Sequence, residues 1–125
     1  MMRGLFRATQ GATAIEFALV APVLFLTLFG AIEFGRLMWT QSALHYAVEQ
    51  AARCASVNTT TCGTASQIAS YAASTVSALN IPSSAFTATL NSSCGHQVLA
   101  SLNYQFVATG LFPYTPVLTA QACFS

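Results

Sequence analysis

Few side chains in this 125-residue chain could carry chemistry. The carboxylates are Glu16, Glu33 and Glu49, the imidazoles His45 and His96, and the thiols Cys54, Cys62, Cys94 and Cys123; aspartate and lysine do not occur. An active site needs acids, bases or nucleophiles that converge. A Ser-His-Asp set has no aspartate here to orient its histidine, and no glutamate follows Glu49 to replace one. No glycine-rich loop offers backbone amides to a phosphate either. These absences predict a protein that is not an enzyme and needs no cofactor. The four cysteines include no Cys-x-x-Cys, and neither histidine stands at metal-ligand spacing from them, so disulfides are the better reading than zinc. Four thiols allow three connectivities. The pairing favoured is Cys54 with Cys62, closing a short turn, and Cys94 with Cys123, tying the end of the chain to a sheet.

What must position these groups is set by one apolar stretch. From Phe17 to Ile32 no residue is charged, and the apolar character reaches back to Ala12 with only Glu16 interrupting it. A membrane-spanning helix needs about 20 apolar residues, so Ala12 to Ile32 suffices if one carboxylate near its start is accepted. An ionisable group there is costly, which makes Glu16 a functional candidate. A cleaved secretory signal would need a small-x-small site after the apolar core, whereas Glu33, Phe34, Gly35 and Arg36 follow it. Two readings remain: a plain anchor, and an anchor whose leader is clipped on the cytoplasmic side. Arg3 and Arg7 precede the span with no acidic neighbour, which keeps the N-terminus cytoplasmic and sends everything after Arg36 outside.

Gly11-Ala12-Thr13-Ala14-Ile15-Glu16-Phe17 separates the two. This run resembles the processing site of type IV pilin-like proteins, in which a prepilin peptidase cuts after the glycine and the glutamate becomes the fifth residue of the mature chain. Ala18-Leu19-Val20-Ala21-Pro22 and Phe29-Gly30-Ala31-Ile32-Glu33-Phe34-Gly35-Arg36 narrow the likeness to the TadE-like pseudopilins, or minor pilins, of tight-adherence (Flp-type) pili. A mature start at Ala12, where type IVa pilins usually have phenylalanine, points to the same branch. The resemblance covers residues 11 to 56. It implies a processing site at Gly11 and Ala12, an assembly or register role for Glu16 and Phe17, and a helix softened at Pro22. It also implies partners: the prepilin peptidase, other pilin and pseudopilin subunits, and an inner-membrane assembly platform in contact with lipid. The function implied is initiation or capping of a pilus used in surface attachment. An unprocessed single-pass protein presenting a small disulfide-stapled binding or sensor domain is the alternative. Only the processed reading needs Gly11.

The rest of the chain reads as one small module. The helix is expected to start near Thr13 and to continue past the membrane, with Leu37, Leu44, Ala47, Val48, Ala51 and Ala55 on one face that packs within the chain. Glu33 with Arg36, and Glu49 with Arg53, are expected as solvated pairs, and His45 as a surface residue near Glu49. Asn58, the threonines that follow and Gly63 end the helix; Asn58-Thr59-Thr60 and Asn91-Ser92-Ser93 read as turns rather than as glycosylation sites. Thr64 should cap a second helix with Ile68, Tyr71, Ala72, Val76 and Leu79 on one face, stopped at Asn80-Ile81-Pro82. The period then changes to two: Phe86, Ala88 and Leu90; Val98 to Phe106 after a turn at Asn91–Gly95; and Leu118, Ala120, Ala122 and Phe124. The loop from Ala108 to Pro116 is either a contact site or, as preferred, a place where Phe112 and Tyr114 tuck in beneath the prolines.

The expected fold is therefore α+β: a leader (1–11), a long helix (12–56) that spans the membrane over about 12–33, and an extracytoplasmic module (57–125) of a short helix and a three-stranded antiparallel sheet. Charged residues make up 6% of the chain against about 25% in ordinary soluble domains. With a net charge of +1 and no basic stripe, nucleic-acid binding is not expected.

Overall fold

A computed structural model of the chain describes residues 2–107, 110 and 113–125, with side chains from Gln10 onward. The side chains of Arg3 and Arg7, and Ala108 and Phe112 of the proline-rich loop, lie outside the described residues. The elements are helix α1 (Met2–Val57), helix α2 (Ala65–Thr75), two short 3-10 turns (Ser77–Leu79 and Ser83–Ala85), and strands β1 (Phe86–Ser92), β2 (Gly95–Asn103) and β3 (Val117–Phe124). They fall into two compact units, Met1–Gly35 and Arg36–Ser125.

The first unit is helical. Its start corrects the expectation: α1 begins at Met2 rather than near Thr13. Gly4 and Gly11 each disfavour helix by only about 1 kcal/mol relative to alanine, and no proline stands among these residues to stop it. The helix also continues through Pro22. Between Gln10 and Ile32 every side chain is exposed except Ala21 and Gly30, which are partly covered.

The second unit has its core where the outer part of α1 meets α2 and one face of the sheet. Leu44, Ala47, Val48, Ala51 and Ala55 are buried as their spacing predicts, Leu37 is partly buried, and Ala52 joins them. From α2 come Ile68, Ala72 and Val76; from the sheet, Phe86, Val98, Ala100, Leu118 and Ala120. Full burial of Leu44, Val48, Ile68 and Val98 stabilises the unit by about 1.5–3 kcal/mol each. The alanines matter for another reason. They leave room for neighbouring elements to approach the helix closely, so the core is thin and intolerant of added volume.

Helix α2 starts with a reciprocal cap. Gln67 N–H donates to Thr64 Oγ1 at 3.3 Å, and Thr64 N–H donates to Gln67 Oε1 at 3.2 Å. Gly63 N–H uses the same oxygen at 3.0 Å, and a side chain on Gly63 would run into the Thr59 carbonyl. The helix stops at Thr75, short of Asn80. Ser74 and Thr75 hydroxyls both turn back to the Tyr71 carbonyl, at 2.7 and 2.9 Å, and such back-bonding competes with the helical ladder. A 3-10 turn carries the chain to Asn80, whose φ of 51° takes it into the left-handed region that asparagine tolerates.

The sheet is an antiparallel meander in the order β1-β2-β3. Ala88 pairs with Val98 and Val98 with Ala122, while Ala100 faces Phe86 on one side and Ala120 on the other. The first hairpin turn is tighter than expected, with Ser92 paired to Gly95 and a bulge between Thr89 and Ser92. Gly95 adopts φ +105°, and a Cβ there would lie 2.6 Å from the Phe124 carbonyl oxygen. Strand β2 ends at Asn103, before Tyr104 and Phe106, yet Tyr104 is buried and meets the Phe106 ring edge-on at 5.3 Å. Phe124, expected on the buried face, is exposed at the strand's end. Disulfides join Cys54 to Cys62 and Cys94 to Cys123, across Cα separations of 5.8 and 5.9 Å.

Ala51→Leu will overpack the tightest part of this core and destabilise it by about 1–3 kcal/mol, read as a lower melting temperature of the full chain in detergent. Thr64→Ala removes one half of the cap and lowers stability by about 1 kcal/mol in the same assay, whereas Thr64→Ser leaves it nearly unchanged.

Candidate processing and assembly site

The residues singled out for processing sit on one exposed stretch of helix. Gly11 and Ala12 are both open to solvent, and a Cβ built on Gly11 meets no other group within 4 Å. Glu16 follows Ala12 by four residues, so the two share a side of the helix about 6 Å apart along its axis. Both Glu16 and Phe17 are exposed. Gly11 and Phe17 project to other sides, each about 100° round the helix from its neighbour Ala12 or Glu16. Pro22, one and a half turns further on, brings no N–H to the ladder, which leaves the Ala18 carbonyl without its helical donor. Thr27 Oγ1 satisfies itself on the Leu24 carbonyl at 2.8 Å.

Among the described residues one helix is long and apolar enough to cross a membrane, with a mean hydropathy of 2.2 over its best window and none of that window buried. The cysteines belong to the other unit, where both pairs are joined.

Several positions differ from their expected surroundings. Glu33 is only 8% exposed instead of solvated. Glu49 and Arg53 are exposed as expected. His45 is on the surface too, but its ring nitrogen lies 3.0 Å from Gln41 Nε2. Gln41 also donates to the Thr119 carbonyl at 2.8 Å, a tie between α1 and β3 that no sequence signal announces. Tyr114, expected beneath its prolines, is exposed.

One hollow lies against α2 and one against the outer part of α1, lined by Glu49, Gln50 and Arg53 beside Cys123. The first is lined by Thr61, Ser66, Gln67, Ser70, Tyr71 and Ser74, hydroxyls and an amide with no histidine or carboxylate beside them to withdraw a proton. Among the described residues no group of three potential ligands could hold a metal ion.

Residues 11–53 match the family model described as TadE-like protein. Neither a curated protein nor a solved structure matches the chain. The matched segment starts at Gly11, contains the whole apolar stretch and ends at Arg53, next to the first cysteine, so the likeness lies in α1 and stops before the disulfide-linked module. Through that helix, from Gly11 to Arg53, the chain is similar to the TadE-like proteins.

Proposed function

We propose that this protein is a minor pilin or pseudopilin, cut by a prepilin peptidase between Gly11 and Ala12, that takes part in initiating or capping a tight-adherence pilus used in surface attachment. The observation that carries this reading is Gly11 and Glu16 at the head of a helical run whose apolar side chains are nearly all exposed, at the start of the family match. In this reading residues 1–11 are a leader and the protein itself catalyses nothing; it is a substrate. Arg3 and Arg7 keep the leader in the cytoplasm, and the module stands beyond the inner membrane, where its disulfides form and persist.

Hydrolysis of the Gly11–Ala12 bond frees the Ala12 amine, which takes a proton at neutral pH. The ammonium and Glu16 then lie in the edge of the bilayer about one turn apart, where charges need partners. A subunit entering the assembly matches its Glu16 carboxylate to the Ala12 ammonium of a neighbour. Apolar helices slide past one another with little preference, so this pair sets their register. Pro22 loosens the packed helix as it leaves lipid for the filament. Other pilin and pseudopilin subunits and the membrane platform are the partners this requires.

N-terminal sequencing of the membrane-extracted protein tests the cut. The mature chain is expected to begin at Ala12 in cells with the peptidase and at Met1 or Met2 in cells lacking it; an intact start in both leaves a plain anchor presenting a disulfide-linked module. Glu16→Gln removes the charge and keeps the shape. It should leave cleavage intact while reducing recovery of the protein with sheared pili at least about tenfold, since an unpaired charge in low dielectric costs several kcal/mol. Unchanged incorporation would sink the register mechanism.

A further inference from the structure

In the unit Arg36–Ser125, β3 runs alongside the outer part of α1. Its Thr119 carbonyl accepts from Gln41, while Cys123 shares a hollow with Glu49, Gln50 and Arg53 further along. From Thr119 to Cys123 a strand advances about 13 Å. From Gln41 to the Glu49–Arg53 segment a helix advances about 12–18 Å. The two elements therefore climb together in the same direction. Followed back from Thr119, β3 begins at Val117, level with Arg36 and Leu37, where this unit is joined through the chain to the apolar stretch.

That end of the unit is apolar on its outside. On α1, Met38 is exposed and Trp39 is 71% exposed; on the β2–β3 connection, Val107 is 73% and Tyr114 72% exposed, and Val117 is open as well. No residue from Tyr104 to Val117 carries a charge. The base of the connection is held by Tyr104 N–H donating to the Pro116 carbonyl at 2.9 Å and by the edge-on contact of Tyr104 with Phe106. The opposite end, where the first hairpin turn and the α1–α2 turn lie, exposes Thr59, Thr60, Thr61, Asn91 and Ser93, with Val57 and Phe124 as apolar exceptions.

We propose that this apolar end is a lipid-interface wedge: Trp39 and Met38 on α1, with Val107, Tyr114 and Val117 on the module, sit in the outer headgroup layer of the membrane that α1 crosses. The inference rests on the membrane-spanning reading of residues 12–33. Trp39 stands about 5 Å along the helix beyond Arg36, and the interfacial layer outside the hydrocarbon is about 5–7 Å thick on each side. Tryptophan and tyrosine are the side chains that favour this layer, apolar in body and polar at one tip. Val107, Tyr114 and Val117 have the complementary chemistry, since they enter without desolvating an ion. Lipid is the occupant because the chain enters this end of the unit at Arg36, only a few residues after the apolar stretch ends at Ile32, and the residues from Tyr104 to Val117 carry no charge with which to choose a protein partner.

Trp39 is the single tryptophan, so the full-length chain reports on itself in phosphatidylcholine vesicles at high lipid-to-protein ratio. Its emission should be blue-shifted from that in water and quenched more by lipid brominated high on the acyl chains than by lipid brominated near their ends. In a Trp39→Phe background, Tyr114→Trp should behave the same way, Thr60→Trp should emit as in water and escape quenching, and Phe25→Trp should show the deep pattern. A water-like, unquenched Tyr114→Trp beside a deeply quenched Phe25→Trp overturns the wedge and leaves the span standing. A Tyr114→Trp signal that is blue-shifted but unquenched means protein covers the loop, and overturns it too. If Phe25→Trp is unquenched, the span itself fails and the wedge with it.

Discussion

The structure depends on finding a solvent for side chains that touch little in their own chain. Ile15, Phe17, Leu19, Val20, Val23 and Leu24 are all exposed, and Phe25, Leu26, Leu28, Phe29 and Ile32 continue the series. Leaving one such side chain in water forgoes about 1.5–3 kcal/mol. Summed over the series this exceeds the 5–15 kcal/mol by which a typical domain is stable. Lipid or an apolar protein surface therefore suits this helix better than water does. In either medium each backbone polar group needs its partner within the chain, which a helix supplies.

The same helix then changes what it asks of its surroundings. From Phe17 to Ile32 it is, Thr27 apart, apolar all round, the pattern of a helix with lipid or protein on every side. Beyond Arg36 the apolar positions narrow to the stripe of Leu37, Leu44, Ala47, Val48 and Ala51, and the opposite side carries His45, Glu49 and Arg53. Small residues in the stripe let α2 and the sheet cover it closely. The module has few large side chains with which to build a core, and two disulfides supplement it, each worth about 2–4 kcal/mol in a small domain.

Much of this was legible because it rests on periodicity and local chemistry. The alanine stripe, the Thr64 cap and the switch to period two each follow from residues close in sequence. What was not legible depends on competition or on distant contacts. The helix runs back to Met2 because Gly11, read as a boundary, is only a weak helix breaker. Helix α2 ends early, where the Ser74 and Thr75 hydroxyls turn back to the Tyr71 carbonyl and a 3-10 turn takes over. The tie from Gln41 to Thr119 joins residues 78 positions apart, and a lone glutamine carries no pattern to foretell it. Glu16 could be singled out because a charge inside an apolar run is conspicuous. Whether the bond at Gly11 is cut is a property of a second protein, and no exposure or distance in this one contains it.

Charge is scarce enough here that its placement limits what the protein can do. Beyond Arg53 the chain has no acidic or basic side chain apart from His96, so the module has almost no field with which to steer a partner from a distance. Recognition there must rely on shape, hydroxyl hydrogen bonds and apolar contact. Within the helix the situation is reversed. Between Arg7 and Glu33, Glu16 is the single charged side chain, and in a low-dielectric medium the interaction of two charges is several times stronger than in water. Apolar side chains along the span can be replaced by one another at little cost to helix packing in lipid, and they distinguish one sliding position from the next only weakly. A lone carboxylate distinguishes them sharply, since one register satisfies it and shifts of a single turn do not. If subunits assemble through this helix, discrimination between registers therefore concentrates at Glu16, and the apolar remainder supplies affinity without choosing the position.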